Sequence, residues 1–310
     1  MAISNDMKRT TCLFIATLAC CGVHAQTPQP TWNATIKVID ESGQPVVRAN
    51  AQMSWDVLAP NNTVTSDKIE GLTDANGIFE ASQKANTSVD LGFQASKTGY
   101  YSTTANHEFA AFKDSDPEKL SPHITLILKK TGKQIPMYAK QITSLVVPEF
   151  NKAIGYDLMV GDWIGPYGKG VNADLYFAEK HTDPHSGYIL SVSFPQPGDG
   201  IQEFRVPALL QNAVTGLSTL RSSQSAPTDG YQREVSQTET TNPNRNFYFR
   251  VRTKLDENGN VVSACYGKMY GDLAQFTYYF NSTPNDRNIE FDPKQNLLQG
   301  MQSFEQVSAP

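Results

Sequence analysis

Residues 161–170, GDWIGPYGKG, combine four glycines, two aromatic rings and a lysine, the residue types in this chain most able to form a binding site. A Walker-type phosphate loop needs four residues between its first glycine and Gly-Lys, followed by serine or threonine. Gly165 stands two residues short of that spacing, and Gly170 replaces the hydroxyl residue. Residues 168–173 match a G-x-G-x-x-A dinucleotide pattern, but residues 171–177 alternate as in a strand, whereas that pattern must open a helix. We therefore predict no phosphate site here.

Two other interpretations of this segment remain. Trp163 and Tyr167 could form a stacking platform for a glycan, because aromatic rings offer an apolar face to sugar C–H groups. Asp162 and Lys169 would then contact its polar groups. Glycine–proline clusters usually mark turns, so the favoured interpretation is a connection whose two rings fold over the end of a β-sandwich. These four residues are nevertheless the candidate ligand-binding residues.

A second candidate site is the stretch HTDPH at residues 181–185, which holds two histidines and a carboxylate. Zinc takes three or four ligands in a fixed geometry. A metal-dependent hydrolase would need His181, His185 and a distant carboxylate in one pocket. Pro184 breaks the helical spacing that would align the two imidazoles, so a solvated loop is favoured and the hydrolase stays an alternative.

Carboxylates also gather in residues 286–292, DRNIEFD. If this stretch is extended, Asp286, Glu290 and Asp292 lie on one side, where calcium's preference for oxygen ligands could be met. An exposed strand edge or a network with Arg287 is favoured, because charged stretches usually face water. No cofactor is therefore predicted, with calcium as the alternative at these residues.

Side chains of one predicted strand offer a further surface. Tyr248, Arg250, Arg252 and Lys254 are expected on its outward face, where they could contact an acidic glycan or a partner protein, although an ordinary solvent face is favoured. Cys265 is expected to be buried. The chain has no H-E-x-x-H, G-x-S-x-G or H-x-x-E motif, so no catalytic activity is predicted.

The N-terminus predicts export. Residues 1–25 have a basic start, a short apolar run and a small-residue cleavage pattern, as in a signal peptide, and 26–30 form a polar linker. A secreted or periplasmic protein is therefore expected, with a lipoprotein acylated at Cys20 as the alternative. No stretch is long enough to span a membrane, and the formal net charge of −5 argues against nucleic acid as a partner.

The elements that must position these residues are mostly strands. Period-two alternation of apolar residues marks several short runs that are separated by Asp/Asn/Gly turns, which is typical of a β-sandwich. We predict an all-β protein with a sandwich at residues 31–130 and a larger β-rich domain at 142–310. The second domain is expected to hold one or two short helices, one of them near 207–217, where Pro207 and an apolar stripe suit a helix.

The first domain resembles a known family. "IKVIDESGQPVVRANAQMSW" and "GLTDANGIFEAS" are similar to the carboxypeptidase regulatory-like domain, through residues such as Val38, Asp40, Gly43, Asp74 and Gly77. The resemblance covers residues 31 to 130 and implies a transthyretin-like, seven-stranded Greek-key sandwich without catalysis. Residues 155–177 and 283–293 are similar to segments of secreted bacterial proteins with the same first domain, which implies no function.

Together these features predict an exported, non-catalytic binding or scaffold protein of the cell envelope. Its expected partner is an envelope protein or a polysaccharide. The alternatives are a carbohydrate-binding module at Trp163 and Tyr167, and the metal-dependent hydrolase at His181 and His185.

Overall fold

The computed structural model describes residues 31–58, 63–84, 90–108, 123–183, 186–206, 214–238, 242 and 244–310. The predicted signal peptide (1–25), the linker (26–30), Cys20 and His185 lie outside these residues. Nearly all of the regular secondary structure in the described residues is β-strand, which confirms the predicted all-β class.

Seven strands form the first half of the described chain. They are β1 Thr31–Asp40, β2 Asn50–Leu58, β3 Val64–Leu72, β4 Ile78–Lys84, β5 Asp90–Ser96, β6 Thr103–Glu108 and β7 His123–Leu128. They lie in two sheets, β7-β1-β4 and β6-β5-β2-β3. The alternating residues of both sheets meet in one core, which contains Ile36, Met53, Phe93 and Leu126. We call this unit the first sandwich.

The second half continues with thirteen strands. They are β8 Ile135–Ile142, β9 Ile154–Asp157, β10 Asp162–Trp163, β11 Leu175–Asp183, β12 Ser186–Ser193, β13 Gly200–Arg205, β14 Val214–Thr215, β15 Leu217–Ser218, β16 Glu234–Thr238, β17 Arg245–Leu255, β18 Val261–Gly271, β19 Phe276–Asn281 and β20 Phe291–Asn296. Among the described residues there is no α-helix, only a 3₁₀ turn at Ser303–Glu305. The predicted short helix is wrong where its span is described, because residues 214–218 form two strands there; residues 207–213 lie outside the description.

Eleven of these strands make two sheets that pack face to face. An outer sheet has the order β10-β9-β11-β12-β16, and a central sheet has the order β13-β17-β18-β19-β8-β20. Phe177 of the outer sheet and Phe249, Met269 and Tyr278 of the central sheet share one core. The opposite face of the central sheet is also buried, under residues such as Ala226. We call the two sheets the second sandwich.

Gly267 lies where the central sheet has no room for a side chain. A β-carbon there would collide with the Phe249 ring and with the backbone oxygen of Tyr279. Gly267→Ala should therefore lower the free energy of unfolding by at least about 2 kcal/mol, because the paired strand on one side cannot move away. Urea denaturation would measure this loss, with Ser263→Ala on the same strand as control. Equal stability of the two variants would contradict it.

Two short strands of the second half cross over to the first sandwich. β14 pairs in parallel with β7, and β15 pairs in antiparallel fashion with β6, so residues 214–218 extend both sheets of the first sandwich. A β-carbon on Gly216, at the turn between these strands, would come within 2.6 Å of side-chain atoms of Leu126 and Thr103. This segment, which we call the strap, thus reaches between β6 and β7.

Candidate functional site

The GDWIGPYGKG segment is organised by two carboxylates. Asp157 accepts hydrogen bonds from four backbone N–H groups, those of Met159, Val160, Val171 and Asn172. Burial raises the pKa of Asp157, but these donors outweigh burial and hold the pKa below its usual value. Asp162 accepts the backbone N–H groups of Trp163 and Lys169, at 2.8 and 2.9 Å. The carboxylate that was a candidate ligand contact is therefore already engaged by its own loop.

The two aromatic residues of the segment differ in their surroundings. Trp163 is half-buried and packs edge-on against Tyr156 and Phe177, with ring centroids 5.2 and 5.9 Å apart. Tyr167 is hydrogen-bonded through its hydroxyl to Glu149, and its hydroxyl accepts from Lys152 at 2.9 Å. The Lys169 side chain is exposed. Trp163 and Tyr167 thus pack against the end of the second-sandwich core, the arrangement that the turn interpretation expects.

Trp163→Ala tests whether this ring is chiefly a packing residue. Because the indole is only half-buried, we expect a loss of about 2 to 3 kcal/mol in the free energy of unfolding, less than for a fully buried tryptophan. Val171→Ala, at a side chain that is 74% exposed, is the control for the same loop. An unchanged stability of the Trp163 variant would instead favour a ring held for ligand stacking.

Of the two histidines in the stretch 181–185, the structure describes His181. His181 Nε2 lies 3.2 Å from Glu179 Oε1, and its ring meets Phe150 edge-on with centroids 4.6 Å apart. Residues 184–185 lie outside the description, between the paired strands β11 and β12. In the part of the chain that the structure describes, no three His, Cys, Asp or Glu side chains are placed to hold a metal ion.

The three carboxylates considered for calcium have separate partners. Asp286 lies in a turn and accepts the Asn288 N–H at 3.0 Å, and Asp292 accepts the Lys294 N–H at 2.9 Å. Glu290 is buried and points to the first sandwich. The stretch is not a regular strand before residue 291, so simple alternation does not place these side chains together.

The predicted cationic face of β17 is not a single surface. Tyr248 is buried and stacks on Phe204, and Arg250 lies over the ring of Tyr231. At Arg252 the backbone has a φ of 57° and the pairing with β18 shifts register. This bulge turns the Arg252 side chain to the other side of the sheet, where its guanidinium pairs with Asp174.

Polar contacts fix the second sandwich to the first. Tyr101 donates to Glu290 Oε1 at 2.5 Å, and the Gly132 N–H donates to the same oxygen at 2.6 Å. Lys129 Nζ donates to the Ser222 carbonyl at 2.9 Å, and Gln224 donates to the Lys130 carbonyl at 2.7 Å. Burial, and then the hydrogen bond to Glu290, raise the pKa of Tyr101. We call these contacts the junction.

A fully buried lysine lies beside the junction. Lys268 of β18 has its Nζ 5.0 Å from the ring centre of Tyr270 and 4.7 Å from that of Tyr279, and it has no hydrogen-bond partner among the described residues. Burial lowers the pKa of Lys268 to about 7, partly offset by the charge of Glu290. The sequence did not indicate this residue, because a single lysine in an apolar strand is normally predicted to face solvent.

An open groove of about 550 Å³ separates β6 and the strap from β8, β18 and β19 of the central sheet. Most of its lining side chains carry hydroxyl or amide groups; they are Thr104, Gln141, Thr143, Ser218, Thr219, Tyr270, Gln275, Thr277 and Tyr279. Of the described lining residues, Arg221 has a charged side chain, and Ala309 and Pro310 also line the groove. No sequence pattern indicates this groove, because its walls come from distant parts of the chain.

Comparisons with known proteins give no family. No protein-family model matches the chain, and no curated protein matches its sequence. The described residues include no helix long and apolar enough to cross a membrane.

Solved structures resemble the chain only distantly. A 3-chlorocatechol 1,2-dioxygenase from Rhodococcus opacus 1CP matches at 17% identity and a TM-score of 0.25, over 33% of this chain and 60% of that one. The shaft pilin SpaA from Lactobacillus rhamnosus GG matches at 8% identity and a TM-score of 0.25, over 76% and 93%. A streptococcal ancillary pilin matches at 8% and 0.23, over 82% and 59%. The chain thus spans less than two thirds of the dioxygenase's length.

Proposed function

We propose that this chain is an exported, non-catalytic binding or scaffold protein of the cell envelope, in which two β-sandwiches are held in a fixed relation. The junction is the observation that carries this proposal. Buried hydrogen bonds join Tyr101 to Glu290, and the strap adds strands to both sheets of the first sandwich. A fixed pair of sandwiches suits a protein that presents a binding surface. Because the two units are already held in place, binding a partner costs little further conformational entropy.

The roles of the buried carboxylates support a non-catalytic function. Asp157, Asp174, Asp199 and Glu290 all accept hydrogen bonds from backbone N–H groups. A general acid or base must exchange protons with a substrate, whereas these groups are committed to holding loops. Their arrangement favours structural roles.

We further propose that residues 31–130 form a carboxypeptidase regulatory-like domain acting as a spacer. The seven strands β1 to β7 and their two-sheet core are compatible with that family's sandwich. A secreted or periplasmic location, including the lipoprotein alternative at Cys20, belongs to the same proposal and rests on the leader sequence alone.

Site-specific photocrosslinking in cells that make the protein naturally would test the function. The crosslinker would replace Val171 or Val262, whose side chains are 74% and 59% exposed. We expect the protein in the envelope or secreted fraction and a crosslinked envelope component at one position. The natural chain without a crosslinker, irradiated in the same cells, is the control for nonspecific capture. A cytoplasmic location, or no adduct above this control at either position, would overturn the proposal.

A further inference from the structure

We propose that the groove between the two sandwiches binds an acidic oligosaccharide, with Arg221 recognising a sugar carboxylate. This proposal goes beyond a general scaffold role, because it gives the chain a ligand of defined chemistry at a site that is separate from Trp163 and Tyr167. The groove's volume of about 550 Å³ lies within the range of known small-ligand sites, roughly 300 to 1,000 Å³.

The lining chemistry suits sugars. Threonine hydroxyls and the amides of Gln141 and Gln275 can each donate and accept hydrogen bonds. The hydroxyls of Tyr270 and Tyr279 are already bonded to Ser222 and to the Ala309 carbonyl. Sugar hydroxyls have the same double capacity, so one wall can meet several of them. Among the described lining residues, none has an aspartate or glutamate side chain.

One lining residue has a buried polar group without a partner. Ser218 of the strap is 8% exposed, and its Oγ has no hydrogen-bond partner among the described residues. A buried hydroxyl without a partner is unfavourable, and bound ligand or water can satisfy it. The strap thus places one unsatisfied polar group beside the groove.

Arg221 gives the groove its selectivity. Its side chain is exposed and forms no ion pair among the described residues, and its guanidinium lies over the Tyr270 ring, 5.5 Å from the centroid. That ring orients the guanidinium without neutralising it. A planar guanidinium matches a carboxylate with two parallel hydrogen bonds, so a uronate is favoured over a neutral sugar.

Calorimetry with the full chain tests this inference. The probes are trigalacturonate and trimannuronate, with galactotriose and mannotriose as their neutral counterparts and triglutamate as an acidic peptide. We expect at least one uronate to bind in the micromolar to millimolar range, and its neutral counterpart to bind at least tenfold more weakly. Arg221→Gln should abolish that difference and weaken uronate binding at least tenfold.

The controls separate recognition from folding. Arg221 is exposed, so Arg221→Gln should keep the thermal midpoint of the natural chain. Arg205→Gln removes another exposed arginine, on β13 and away from the groove lining, and should bind uronate normally. The inference is overturned if neither uronate binds at 10 mM, if Arg221→Gln binds as well as the natural chain, or if triglutamate alone binds. These results in vitro leave the envelope crosslinking test unaffected.

Discussion

Lys268→Met should raise the free energy of unfolding at pH 6 by about 3 to 5 kcal/mol, the largest gain that we expect from one substitution. The ammonium group of Lys268 is fully buried without a hydrogen bond, and only two tyrosine rings and the more distant Glu290 compensate its charge. Methionine has a similar length, carries no charge and packs well against aromatic rings.

The gain should depend on pH in a defined direction. The folded pKa of Lys268 is about 7 and its ordinary value is 10.5. Between these values the unfolded chain binds a proton that the folded chain lacks, so the lysine makes stability rise with pH in this window. The advantage of the methionine variant should therefore be largest below pH 7 and shrink towards pH 10.

Urea denaturation of both chains at unit steps from pH 6 to pH 10 would measure this effect. Lys254→Met removes an exposed lysine of the neighbouring strand β17 and is the matched control. It should leave the pH dependence of the natural chain in place. The same pH dependence with and without Lys268 would show that this amine does not lose its proton on folding.

The strands of the first sandwich could be predicted from the sequence, because one face of each meets a core. Ile36 and Val38 alternate with polar residues, as do Ala51 and Met53. In the central sheet, alternation of apolar and polar residues does not predict which side chains are buried. Tyr248 and Phe249 are both buried, because the sheet is covered on both faces, so the expectation that Tyr248 meets solvent is wrong.

The junction and the groove could not be predicted from the sequence either, and the reason is a different one. Tyr101 and Glu290 are 189 residues apart in the chain, and no local pattern links them. The apolar stripe in residues 207–217 suited a helix. In the structure, residues 214–218 form the strap instead, with Gly216 packed between β6 and β7. Tertiary pairing overrides local preference at this place.

The ion pair of Arg252 could not be predicted either, because it depends on a local β-bulge. The bulge at this residue places Arg252 opposite Asp174, with Nε 2.7 Å from Oδ1 and Nη2 3.1 Å from Oδ2. The Asp174 side chain is 1% exposed and that of Arg252 is 32% exposed. Burial raises the pKa of Asp174 even though Arg252 acts in the opposite direction. The carboxylate therefore depends strongly on this one partner.

Arg252→Met should lower the free energy of unfolding at pH 7 by about 3 kcal/mol, because it leaves a buried carboxylate with only the Leu158 N–H as a partner. Methionine keeps a non-glycine residue at the positive φ, so the backbone strain is the same in both chains. Without the guanidinium the pKa of Asp174 should rise further. The folded state then binds a proton more readily than the unfolded state, and stability is lost as pH rises through that pKa. The difference from the natural chain should thus be small near pH 4 and large at pH 7.

A double variant isolates the charge from the packing. In Arg252→Met with Asp174→Asn, the amide oxygen can still accept the Leu158 N–H, but no uncompensated charge remains. Urea denaturation at pH 4 and pH 7 should show that this chain recovers more than half of the loss at pH 7 and has little pH dependence. If the two substitutions instead lower stability additively, the ion pair is not what Arg252 contributes, and the bulge would serve packing against Phe280 alone.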